Sequence, residues 1–226
     1  MTKLTALLIV SCAISFSQSD PSPTMLDNYL NMSAQDAAQF QPMTMKQRTD
    51  WFLQGLANPI GYVDVFVSAA MDHSHQKPAE WGSGAEGFGK RLANIEGQTL
   101  VQSSVSFALG ALTHEDNRYF GSGEKGIWRR TRYAILSTAR ARHDNGKQYL
   151  SASTIGGLAA GAFVANLWLP EGKNTAADAA TSVGLSLAGD IGGNILNEFL
   201  PDMLHLGRSL LHQKDNSKAT LISAHQ

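Results

Sequence analysis

Apolar positions recur along this chain mostly at helical spacing. In TMKQRTDWFLQGLANP, Trp51, Phe52 and Leu56 alternate with the polar Lys46, Arg48 and Asp50. A helix is expected from Thr44, ended by Asn58-Pro59, because the residue before a proline is pushed out of the helical region. Ile60–Met71 is apolar enough for a second, buried helix, although its β-branched residues leave a strand open. After a loop over 72–84, the spacing predicts helices over Ala85–Leu112 and Ile127–Arg142. An irregular stretch from Thr113 to Gly126 separates them, and Asp144-Asn145-Gly146 reads as a turn. An apolar helix follows over Ser151–Leu169, stopped by Pro170. The last long helix is expected over Thr175–Leu200, with Asn174 as its N-cap and Pro201 as its end. The sum is an all-α fold, a compact bundle of about five to six helices over residues 44–205. A flexible lead at 18–43, with a short helix around Thr24–Asn31, and a polar tail at 206–226 flank it.

Small residues sharpen this pattern. Ser153, Gly157, Gly161 and Ala165 recur every four residues, as do Ala176, Ala180, Gly184, Ala188 and Gly192. Positions four apart share a helix face, so each helix offers a groove that admits close backbone approach. The short connection Glu171–Asn174 makes the two an antiparallel, Gly/Ala-packed C-terminal hairpin. Ser106 and Gly110 suggest that the helix before them joins the cluster. Gln148–Pro170 is uncharged for 23 residues, long enough to span a bilayer. Its partner is not, since Asp178 and Asp190 bracket eleven uncharged residues and a mid-bilayer Asp is costly. The expectation is a compact domain with a glycine-lined core, able to rest on a membrane, and a membrane-inserted hairpin is the alternative.

Composition narrows the classes. The 226 residues are 43% hydrophobic with a formal net charge of -1, which lacks the basic excess of a nucleic-acid-binding protein. The single cysteine, Cys12, lies in MTKLTALLIVSCAISFS, residues 1–17, which has the basic start and short apolar run of an export signal cleaved after Ser17. Cys12 within IVSC leaves lipoprotein processing open, and an uncleaved anchor is a further reading. A cleaved leader places the mature protein in the periplasm or cell envelope and leaves it no cysteine, hence neither disulfide nor thiolate metal site. No metal site is indicated, a cofactor held by cysteine thiolates is excluded, and any other cofactor is left open.

Two polar groups are candidates for chemistry. Thr113-His114-Glu115-Asp116-Asn117-Arg118-Tyr119 follows an apolar helix, so His114 can act as base or ligand, oriented by Glu115 or Asp116. Arg118 can hold an anion. In the last helix Asp190, Asn194 and Glu198 share one face. Both groups have plainer readings, as a helix-ending knot and as a solvent face. From Glu124 to Lys147, seven basic residues stand against two acidic ones, a local net of +5. With Trp128 beside them, Arg129, Arg130 and Arg132 suit anionic lipid headgroups. No P-loop, G-x-S-x-G or H-E-x-x-H is present.

The segments THEDNRYF (Thr113–Phe120), WGSGAEGFGKR (Trp81–Arg91) and GDIGGNILNEFLPD (Gly189–Asp202) resemble those of a family of uncharacterised exported bacterial proteins. The resemblance spans about residues 44–203 and implies one domain there, but no activity and no functional residue. Two functions are therefore expected in competition. One is a structural or interaction protein of the envelope, associated with a membrane surface, anionic lipid or a second copy of itself. The other is a hydrolase-type enzyme acting on an envelope lipid or phosphorylated substrate, using His114 with Glu115, Asp116, Asp190 or Glu198.

Overall fold

A computed structural model describes residues 40–223. The export signal at 1–17 and the helix expected around Thr24–Asn31 lie outside the described residues. Within them the fold is all-α apart from one small sheet, as the spacing predicts. The helices are α1 (Met45–Leu56), α2 (Pro59–Ser74), α3 (Ala85–Thr113), α4 (Ile127–Thr138), α5 (Ala152–Ala165) and α6 (Ala176–Ser223). The strands are β1 (Glu115–Asp116), β2 (Arg140–His143) and β3 (Gln148–Leu150), antiparallel in that order. Glu115 pairs with His143, and Ala141 with Tyr149.

Local chemistry explains most boundaries. Thr44 caps α1 through a reciprocal box with Gln47, and Pro59 opens α2, where its missing N–H costs nothing. His114 ends α3 in the left-handed conformation (φ 58°, ψ 34°). The turn at 144–147 does form, with Gly146 at φ 77°, but it joins β2 to β3. The basic helix thus ends at Thr138 instead of reaching Arg142. Four residues are too few to show strand alternation, and their partner β1 lies more than twenty residues upstream.

The last helix departs further. Its cap is Thr175, which exchanges hydrogen bonds with Asp178, not Asn174. It also runs through Pro201 to Ser223. Proline removes one intrahelical hydrogen bond. Here Arg130 of α4 grips the Glu198 carbonyl and both the Glu198 and Asp202 carboxylates, so the chain is anchored on each side of the proline.

α5 packs most extensively on α3, and α6 lies against α4 and α5. The α5 stripe Ser153, Gly157, Gly161 and Ala165 is buried, as its spacing implies. Its close partner, however, is α3: a side chain at Gly157 would strike Ser106 and the Gln102 carbonyl, and one at Gly161 would come 2.9 Å from the Gln98 carbonyl. The α6 stripe from Ala176 to Gly192 faces outward, with open space around Gly184 and Gly192. The apolar α5 spans 14 residues, about 21 Å: it stops at Ala165 short of the expected Leu169, and β3 takes the start of the uncharged stretch 148–170. Among the described residues no helix is long and apolar enough to cross a membrane.

Candidate functional site: two polar anchors and an exposed basic face

The segment following α3 is stitched into the bundle by alternating side chains. Glu115 is buried and turns its carboxylate to the first turn of α5. It accepts from Ser153 N (2.9 Å), Ala152 N (3.0 Å), Ser151 Oγ (3.0 Å) and Ser153 Oγ (2.5 Å). A helix N-terminus offers unpaired N–H groups and a partial positive charge, so a carboxylate from elsewhere completes it. Burial works to raise the Glu115 pKa, but the hydrogen bonds from Ser153, Ala152 and Ser151 outweigh it and hold the group below the usual glutamate range. Asn117 extends the same network to the Ser151 and Ser153 hydroxyls.

Asp116 points the other way, fully buried, and is clasped by Arg118 at 2.6–3.1 Å through two guanidinium nitrogens. Arg118 in turn lies over the ring of Phe120. Tyr119 reaches α6, donating to Glu198 Oε2 at 2.6 Å. Glu198 also accepts from Ser122 N (3.0 Å), Ser122 Oγ (2.5 Å) and Arg130 Nε (2.9 Å). Burial raises its pKa, and these donors more than compensate, so it too is held low. The Tyr119 hydroxyl is pushed well above its ordinary value by burial and by the neighbouring Glu198.

The sequence candidates therefore separate. His114 stands on the surface, 71% exposed, with Nδ1 3.0 Å from Asp144 Oδ2. Among the described residues no hydrogen bond or ion pair joins it to Glu115, Asp116, Asp190 or Glu198. The stripe Asp190, Asn194 and Glu198 lies against the bundle, not on a solvent face: Asn194 donates to Thr138 Oγ1 at 2.9 Å. Among the described residues no donor reaches the Asp190 carboxylate, and burial together with Asp64 of α2 raises its pKa to about 6. Arg118 and Arg130 are spent internally on Asp116, Glu198 and Asp202.

Arg91, in the segment WGSGAEGFGKR, was no candidate from sequence, yet it is fully buried. It donates to the carbonyls of Lys77, Pro78 and Gly82, so it shapes the loop before α3. Gly87 is required beside it, since a side chain there would strike the Trp81 and Gly82 carbonyls. Ser151, Ser122 and Asp202 were equally unmarked, and Ser153 stood out only as a member of the small-residue stripe. Of these, only Ser151, an N-cap residue type just ahead of an apolar run, carries a readable signal.

The outer face of α4 is open to solvent, as are apolar side chains elsewhere, among them Phe66 of α2, Leu112 of α3 and Leu185 of α6. Trp128 is 85% exposed and Ile127 71%. Trp128, Arg132, Ile135 and Leu136 fall at positions i, i+4, i+7 and i+8, on one side of the helix, all exposed. Arg129 is exposed beside them, with only a loose contact to Glu124 at 3.7 Å. Leu150 of β3, paired with Arg140, adds another exposed apolar side chain. Among the described residues no group of three or more His, Cys, Asp or Glu side chains is placed to hold a metal ion. No protein-family model, curated protein or solved structure matches the chain.

Proposed function

We propose that the protein is a non-enzymatic component of the cell envelope that lies on an anionic membrane surface through the outer face of α4. The observation that carries this reading is a tryptophan 85% exposed on the same helix face as Arg132, Ile135 and Leu136. Exposing a large aromatic to water is unfavourable, whereas at a bilayer interface its ring and a neighbouring cation are both accommodated. Each basic residue near an anionic surface adds about 1 kcal/mol. Support also comes from the use of the polar motif residues. Glu115, Asp116 and Glu198 are saturated by internal donors, which suits anchoring better than proton transfer.

The reading also sorts the basic residues. Arg129 and Arg132 belong to the lipid-facing set with Trp128, while Arg118 and Arg130 belong to the scaffold. In co-sedimentation with vesicles containing phosphatidylglycerol, the mature protein is expected to bind and to be released by salt. Trp128→Ala with Arg132→Glu should weaken binding by about tenfold or more, with an unchanged melting curve. Equal binding to neutral and anionic vesicles, or no loss in the double variant, would refute the assignment.

A further inference from the structure

Between α1 and α3 runs a half-open groove of about 240 Å³, walled by Met43, Trp51, Phe52, Leu56 and Phe107. Phe52 stacks on Phe107 at 4.8 Å, which fixes its floor, and Arg48 and Arg118 sit at its polar end. The volume is below the roughly 300–1,000 Å³ of small-molecule pockets. It suits one or two inserted side chains of a helix, a recurring mode of peptide recognition.

The described chain enters the fold at this place. Phe40 packs edge-to-face on Phe120, the Gln41 carbonyl accepts from Arg118 Nη2 at 3.3 Å, and Met43 is already in the wall. Just upstream, outside the described residues, TMLDNYLNM (24–32) places Met25, Leu26, Tyr29, Leu30 and Met32 on one side at helical spacing. Thr24, Asp27, Asn28 and Asn31 fall on the other. The stretch 18–39 carries Asp20, Asp27 and Asp36 and no basic residue, so it brings no like charge to the groove end where Arg48 and Arg118 sit. Seven residues lie between Met32 and Phe40, a span of about 26 Å when extended, ample to fold back onto the adjacent groove.

We propose that residues 24–32 dock their apolar face into the α1–α3 groove of the same chain, as an N-terminal strap. The test uses the full mature chain carrying Leu30→p-benzoylphenylalanine or, separately, Met25→p-benzoylphenylalanine, irradiated and mapped by mass spectrometry. Cross-links within one chain to peptides spanning 51–56 and 103–110 are expected from at least one position. Adding Tyr29→Asp should lower their yield about tenfold or more. Cross-links between two chains, cross-links confined to other surfaces, no cross-link from either position, or an unchanged yield with Tyr29→Asp would each overturn the proposal.

Discussion

Glu115 illustrates how one side chain can hold three elements together. Its backbone pairs β1 with β2, its carbonyl accepts from the buried Arg48 of α1, and its carboxylate completes the N-terminus of α5. Glu115→Gln keeps the shape but turns an amide N–H₂ toward donors that need an acceptor. A loss of about 2–3 kcal/mol is expected, read as a lower midpoint of denaturant unfolding with an unchanged slope. Asp116→Asn should cost less at its own position but leaves Arg118 without a counter-charge. The His114 side chain, by contrast, makes its one ion pair with Asp144 at the surface, where such pairs contribute little. In THEDNRYF the histidine that draws the eye therefore spends its side chain at the surface, while Glu115 and Asp116 carry the buried contacts.

At the scale of the helix, identical motifs meet different fates. The four-residue glycine stripes of α5 and α6 look alike in sequence, yet one is packed against α3 and the other is open. Gly157→Ala should destabilise by about 1–3 kcal/mol, because Ser106 and the Gln102 backbone leave no room for a methyl group. Gly184→Ala should stabilise by about 0.5–1 kcal/mol, since the site is open and alanine is the better helix former. Thermal melts of the two variants side by side check this, and equal effects would contradict the packing. A glycine pattern says that a close approach is affordable on that face; only the neighbour decides whether it happens.

Across the whole molecule, stability should respond to pH through two opposed sets of carboxylates. Glu115 and Glu198 ionise more readily in the fold than in the unfolded chain, where the value is about 4.5. Their contribution is complete above that range and lost as pH falls through their lower folded values. Asp190 runs the other way, its pKa raised from 3.8 to about 6 by burial and Asp64. The unfolded chain gives up this proton first, so stability declines as pH rises from about 4 to about 6 and stays lower above. Asp190→Asn should accordingly stabilise by up to about 3 kcal/mol at pH 7, with the gain vanishing near pH 4. Unfolding midpoints across that range test it; a gain independent of pH would assign the effect to packing instead.

Local chemistry written in the chain determined the helical class and most helix starts. The Thr44–Gln47 box, Asn58-Pro59 and the Asp144-Asn145-Gly146 turn all act within a few residues, over distances that sequence spacing describes. Other outcomes were decided by partners far away in sequence. Residues 140–143 became a strand because β1 was there to pair, and Pro201 failed to end α6 because Arg130 held both sides of it. Asp190, Asn194 and Glu198, taken alone a plausible solvent face, turned inward because Thr138 accepts from Asn194 and because Tyr119, Ser122 and Arg130 donate to Glu198. Helical spacing defines which residues share a face, whereas hydrogen-bond and packing partners some 40–80 residues distant select which face is buried.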